Sequence, residues 1–211
     1  NYTNYEIILI NDGSTDGTLE LLQSQYADCD VLRIHSQENQ GVGAARQKGL
    51  ELAAGDFVFF CDPDDIVRAD LFEGFQRQFD NDSGLELYYF SKCSFVDSEQ
   101  GREFLRRNTS STRGGWFENG KGLLQDLILS QKYNASTWQY IFKKSLCKKS
   151  LARFVGRAHE DHWFSMNIYL HSGKSYSVQE NMYFQRVRPG SLTQSLKDES
   201  YVLGSYDAYR N

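Results

Sequence analysis

The sequence predicts an α/β fold with a mixed, mainly parallel sheet flanked by helices, and two observations carry that expectation. Through the first hundred residues, short apolar runs alternate with amphipathic stretches, the rhythm of strand and helix alternating across a sheet covered on both faces. Small, polar, turn-forming residues directly follow the apolar runs, as they do where a strand hands over to a helix.

Each element follows in order. Ile7 to Ile10 is a continuous apolar strand, stopped by Asn11-Asp12-Gly13-Ser14-Thr15-Asp16-Gly17-Thr18. A helix follows with Leu19, Leu22 and Tyr26 on one face. Val31 to His35 is a second strand, Asn39 to Gly43 a turn, and Ala44 to Ala54 a helix for which Gly55 is the expected C-cap. A third strand, Asp56 to Cys61, runs into Asp62-Pro63-Asp64-Asp65. Leu71, Phe72, Phe75 and Phe79 share a helical face, and Leu85 to Val96 reads as a longer strand rich in Tyr and Phe. Gly101 to Gly122 is polar and Gly-rich, which predicts a long mobile loop or a boundary between halves. Helical periodicity returns at Leu123 to Leu129 and at Trp138 to Leu146. A last amphipathic helix from Glu160 (Phe164, Ile168, Leu170) leads to a strand at Tyr176 to Val187 and an Arg-Pro-Gly turn.

Composition sets the outer limits. The chain has 211 residues, a net charge of −5, 40% apolar, 14% aromatic and 24% charged residues. That is enough apolar bulk for one large domain or two small ones, and it argues against disorder. An acidic balance argues against a polynucleotide partner, which bulk basic charge would attract. Cys29, Cys61, Cys93 and Cys147 are too widely spaced for a zinc knuckle or a CxxC pair, so free thiols in a reducing compartment are expected. No apolar run reaches the roughly 18 residues needed to span a bilayer.

Two acidic loops follow two apolar strands, and in open α/β sheets ligands bind at the carboxyl ends of strands, so both loops are expected to face one crevice. Asp62, Asp64 and Asp65 crowd like charges that need a compensating cation, and oxygen-only ligands suit Mn²⁺ or Mg²⁺ with positions left open for phosphate oxygens. The plain alternative is an Asp-rich turn in which Asp65 caps a helix. Asp12 to Gln23 imitates an EF-hand loop, but its twelfth position is Gln23 and a strand precedes it, so that reading fails. Phe57-Val58-Phe59-Phe60 leading to Asp62-Pro63-Asp64 resembles the nucleophile strand of haloacid-dehalogenase phosphatases, which stays an alternative.

Three ordered motifs together are more specific than any one: Tyr5 to Thr18, Glu38-Asn39-Gln40-Gly41-Val42-Gly43-Ala44-Ala45-Arg46-Gln47-Lys48-Gly49, and Asp62-Pro63-Asp64-Asp65. With Glu160-Asp161 and Arg188-Pro189-Gly190-Ser191-Leu192-Thr193, they resemble glycosyltransferase family 2 over nearly the whole chain. The resemblance implies a GT-A fold, a divalent metal held by a DxD motif, and inverting sugar transfer from a nucleotide donor, expected to be a UDP-sugar, to a saccharide or lipid-linked saccharide acceptor in surface polysaccharide assembly. It also implies a cytoplasmic location, peripheral at the inner face of a membrane. The family's opening strand and its turn have no match here, so about one strand-plus-helix unit, roughly 30 residues, is expected upstream of Asn1. Asn11 and Pro63 depart from the family's commoner acidic residue and Ser.

Roles follow from the resemblance. Asp64 is the main metal ligand. Asp62 meets the donor ribose, the metal or a metal-bound water, and Asp12 accepts from uracil or ribose. Arg46 holds the nucleotide half, with an ordinary salt bridge as the equal alternative. Asp161 is the base that deprotonates the acceptor, with Glu160 beside it for acceptor binding, although two acids at a helix start also favour the helix dipole. Trp138 offers a stacking wall for a sugar, against an alternative of core packing. Arg188 and Ser191 close over the diphosphate. Residues 1–100 are then the nucleotide-sugar half, 101–122 the loop or boundary, and 123–211 the acceptor and base half. A non-catalytic nucleotide-binding module is the alternative of a different class.

Overall fold

The computed structural model describes residues 3–99, 101–105, 113–154 and 160–188. The elements run β1 (Ile7–Asp12), α1 (Thr18–Gln25), β2 (Leu32–Gln37), α2 (Val42–Leu52), β3 (Phe57–Phe59), β4 (Ile66–Val67), α3 (Leu71–Asn81), β5 (Leu87–Ser98), β6 (Gly101–Leu105), β7 (Gly115–Phe117), α4 (Gly120–Leu129), a 3₁₀ turn (Thr137–Gln139), β8 (Tyr140–Lys143), α5 (Ser145–Ser150), α6 (Glu160–His171) and β9 (Ser175–Arg186).

The strands form two sheets. β1 and β2 pair in parallel, Ile7 opposite Leu32 through Asp12 opposite Gln37. The second sheet has the order β3-β8-β5-β9-β4, with β6 on β5 and β7 on β9. Its character is mixed, as expected, but antiparallel pairings are in the majority: only β5 and β9 run parallel. The second half of the chain supplies antiparallel strands where the alternation of the first half points to parallel ones. Glu6, just before β1, ties that sheet to the start of β3 by accepting from the Ala54 and Gly55 N–H groups at 2.6 and 3.0 Å.

β5 explains where the core lies. Successive side chains of a strand point to opposite faces. Leu87 and Tyr89 enter a cluster with Leu123, Leu127, Phe164 and Ile168 of α4 and α6. Tyr88 and Phe90 enter another with Leu71 and Phe75 of α3. Helices cover both faces, so all four residues are buried and the strand reads as an unbroken apolar run.

Several expectations are corrected. Trp138 to Leu146 is not one helix: β8 lies between β3 and β5, sending Ile141 to the α3 side and Tyr140 and Phe142 to the other. That two-fold alternation, with ladder partners on both edges, outweighs the helical spacing. The polar 101–122 stretch carries β6 and β7, both added to existing strands. The C-cap of α2 is Ala53 in an extended conformation rather than Gly55. Asp65 is followed by β4, so it caps no helix. Leu170 lies on the outer side of α6, 38% exposed, while Tyr169 takes its place in the core. The four cysteines are free thiols. No helix among the described residues is long and apolar enough to cross a membrane.

Two glycines of α4 differ in what they permit. Gly120 packs against the end of α6, and a Cβ there would overlap Ser172 Oγ and the Tyr169 carbonyl oxygen. Gly122, whose N–H donates to the capping Asn119 side chain at 3.0 Å, would bring an added Cβ no nearer than 3.8 Å to any neighbour. Gly120→Ala therefore lowers the unfolding free energy by about 1–3 kcal/mol. Gly122→Ala leaves it unchanged or raises it by about 0.5–1 kcal/mol. Urea denaturation of the two variants checks the contrast.

Candidate functional site

Asp12 is the last residue of β1, and its loop turns through Gly13 at φ +72°. A side chain at Gly13 would sit 2.7 Å from the Asn39 nitrogen, so only glycine lets this loop lie against the one before α2. Asp12 joins the two loops. It accepts from Gln37 Nε2 at 2.9 Å, Gln40 N–H at 2.9 Å and Gly41 N–H at 2.8 Å. Burial works against its charge, but these donors outweigh burial and hold the carboxyl below its usual range. Asn11 is buried and braces the loop, donating to Ser36 Oγ and accepting from Ser14 N–H.

Arg46 projects from the second turn of α2, and its side chain is only 11% exposed. Its guanidinium reaches Asp62 Oδ1 at 2.9 Å, Asp161 Oδ1 at 2.6 Å and Glu160 Oε1 at 3.3 Å. Asp62 comes from the turn after β3, while Glu160 and Asp161 open α6, so one cation gathers acids from two distant segments. Burial opposes the Arg46 charge, but the fields of Asp161 and Asp62 outweigh it and keep the group protonated. For Asp161 burial dominates: despite Arg46 its carboxyl is pushed up to about 7, with Glu160 and Asp62 adding like-charge repulsion.

The 62–65 turn is closed by Asp65 N–H donating to the Asp62 carbonyl, and the end of β9 holds it in place. Tyr183 Oη donates to Asp65 Oδ2 at 2.6 Å and accepts from Asp62 N–H at 3.1 Å. Arg186 donates its N–H to Asp65 Oδ1 at 2.7 Å and its Nε–H to the Asp64 carbonyl at 2.8 Å. Arg188 Nε lies 3.1 Å from Asp64 Oδ2. Burial raises the Asp65 carboxyl above its usual range, more than the Tyr183 and Arg186 donors lower it.

The donor set is all oxygen, which suits a hard divalent ion. Among the described residues, however, no group of three or more His, Cys, Asp or Glu side chains is arranged to hold a metal. Asp65 is engaged by β9 and Asp62 by Arg46. The residues therefore fit an ion held by Asp64, or by Asp64 with Asp62, whose remaining positions are filled by a bound ligand's oxygens. They do not fit a complete protein cage.

Sequence-predicted residues divide accordingly. Asp62, Glu160 and Asp161 come together on Arg46, and Asp64 and Arg188 pair with one another. Arg46 takes the salt-bridge alternative: its guanidinium is turned into the acids and its side chain is largely buried. Trp138 is corrected from a sugar platform to a core residue: it is 5% exposed, stacked on Tyr183 at 4.5 Å, with Lys92 Nζ 4.8 Å over its ring. Ser191 lies outside the described residues. Tyr183 and Arg186 are the site residues that sequence reasoning missed. Their signal is weak, a Tyr and an Arg near the end of a strand, and only the register of Tyr183 opposite Val67 brings them to the acidic turn.

Comparison with known proteins supplies the remaining observation. The family model described as Glycosyl transferase family 2 matches residues 1–150. The chain is 31% identical over 202 residues to Glycosyltransferase GlyA of Streptococcus pneumoniae, covering 91% of this chain and 28% of that protein. It is 29% identical over 203 residues to Cholesterol galactosyltransferase of Borreliella burgdorferi, covering 90% and 54%. The crystal structure of Staphylococcus aureus TarS 1-349 in complex with UDP-GlcNAc superposes with a TM-score of 0.76 at 21% identity, over 97% of this chain and 55% of that one. The chain thus spans between about a quarter and a little over half of the length of these three proteins. This likeness of fold is a GT-A likeness. The family match displaces the phosphatase reading of the Asp62-Pro63-Asp64 segment. With the Asp12 loop, the α2 segment and the acidic turn all inside the matched region, the chain belongs to glycosyl transferase family 2.

Proposed function

We propose that this chain moves a sugar from a nucleotide donor, a UDP-sugar, to a saccharide or lipid-linked saccharide hydroxyl, with inversion at the anomeric carbon, in surface polysaccharide assembly. The carrying observation is the gathering of Asp62, Glu160 and Asp161 on the Arg46 guanidinium, with Asp64 two residues further along the same turn. The UDP-GlcNAc in the TarS structure supports the donor class. Residues 1–100 serve the donor and 123–211 the acceptor and base, with 101–122 between them. The protein works on the cytoplasmic side, at the periphery of the membrane.

Inversion needs a hydroxyl to attack opposite the leaving group while a base takes its proton. Asp161 is that base. Its partly exposed carboxylate, a quarter open to solvent, receives the proton, and Glu160 helps orient the acceptor. Asp12 accepts from the uracil or ribose and Asp62 from the ribose. Asp64, with Asp62, would hold Mn²⁺ or Mg²⁺, which would supply Lewis-acid neutralisation of the departing diphosphate. Arg188, with Ser191 after it, adds paired donors to the phosphate oxygens once its contact with Asp64 is released.

Three outcomes check this reading. Asp161→Asn lowers kcat by about 10²–10⁴-fold while UDP affinity stays within error, as read by UDP release and calorimetry. Asp64→Ala abolishes the gain in UDP affinity that Mn²⁺ confers, and an Mn²⁺-dependent gain as large as the parent's would contradict the assignment. The third is pH dependence. A base whose carboxyl is pushed up to about 7 is protonated and inactive at lower pH, so kcat/KM rises about tenfold per pH unit below 7 and levels off above it. The same shift makes this group's contribution to stability fall as pH rises from the ordinary carboxyl value to about 7, because only the folded state retains the proton over that window.

A further inference from the structure

We infer that Arg46 is a positioning residue for the transfer step: it grips Asp161 through Oδ1 and so presents Oδ2 to the acceptor hydroxyl. The inference rests on the reading of Asp161 as the base and adds a role for a residue that the resemblance assigns to the nucleotide.

The geometry carries it. Arg46 Nη1 donates to Asp161 Oδ1 at 2.6 Å, the shortest of its three carboxylate contacts. Among the described residues Asp161 Oδ2 has no hydrogen-bond partner, and the side chain is a quarter exposed while that of Glu160 is 9% exposed. Of the two acids that open α6, Asp161 is therefore the one with an open oxygen. A planar guanidinium directs its donors in fixed directions, so holding Oδ1 narrows the range of directions in which Oδ2 can face. Nη2 is anchored on Asp62 at 2.9 Å. The direction in which Asp161 faces is thus set from the turn that also carries Asp64, and base and donor site keep their spacing through one side chain. A nucleotide-contacting arginine would offer its donors to an open cleft, whereas this one is 11% exposed and its partners Asp62, Glu160 and Asp161 are all protein carboxylates.

Charge gives the clamp a second consequence. Without Arg46, Asp161 would face Glu160 and Asp62 with no cation among these groups, and both push its carboxyl towards the protonated form. Arg46 therefore orients the base, and its positive charge opposes that push. Lysine at this position would retain the charge but not the paired donors.

The test is a double-mutant cycle on UDP release in the acceptor reaction, with UDP affinity measured by calorimetry. Arg46→Lys is expected to lower kcat about tenfold or more and leave the UDP dissociation constant within twofold. Arg46→Met lowers kcat further. In an Asp161→Asn background, whose residual turnover is the reference, Arg46→Lys should cause no further loss, because both changes remove the same presented oxygen. A folding defect alone would not produce that non-additivity, and circular dichroism confirms that Arg46→Lys has the parent's fold. The inference is overturned if Arg46→Lys retains full kcat, if it weakens UDP binding as much as it slows turnover, or if its effect multiplies undiminished in the Asp161→Asn background. Full activity of Asp161→Asn alone would instead overturn the assignment of the base, so the two failures are distinguishable.

Discussion

One guanidinium against three carboxylates is the constraint on which the rest of the site depends. Arg46, Asp62, Glu160 and Asp161 come from α2, the turn after β3 and the first turn of α6, with Asp161 lying 115 positions beyond Arg46. Like charges this close cannot share a half-buried volume without a cation between them. Deleting one partner of a buried ion pair typically costs about 3–5 kcal/mol, because the remaining charges stay desolvated. The exposure of Asp62 and Asp161, at 33% and 25%, reduces that cost here and leaves both acids open to a ligand. The acids at the start of α6 gain a further small contribution from the helix dipole.

A second set of contacts orients the acidic turn from the sheet. β9 runs beside β4 and delivers Tyr183 and Arg186 to Asp65 and Asp64. The Tyr183 hydroxyl is both donor and acceptor, bridging Asp65 and the Asp62 amide. Its ring is covered by Trp138, itself buried. Core and site are continuous at this point: the stack that fills the α3 side of the sheet also fixes which way the turn's carboxylates face. Asp62 and Asp64 stay on the outer side, and Asp65 is committed to the scaffold.

Much of this was legible in the sequence where the information is local. The Asp12-Gly13 loop follows a visible apolar strand, the acidic turn follows another, and Glu160-Asp161 stands at the head of a readable helix. What stayed hidden depends on distant partners. Arg46 looks like any surface arginine on a helix until α6 folds over it. Trp138 and Tyr140 read as helical or as a stacking wall because nothing nearby reveals that β8 inserts between β3 and β5. Asp65 looks equal to its neighbours until Tyr183, 118 residues away, reaches it. The strands at 101–105 and 115–117 were obscured by polar, Gly-rich composition, and they exist because β5 and β9 extend far enough to pair with them.

The central claim is that acids from three parts of the chain surround one bound nucleotide and its divalent ion. Paramagnetic broadening of amide NMR signals by Mn²⁺ added with UDP reads this most directly. The account predicts strong, UDP-dependent broadening at Asp12, at Asp62 to Asp65 and at Asp161 together, with the outer face of α4 around Gln125 and Leu129 spared. Broadening confined to one of those three segments, or strongest on α4, would contradict it.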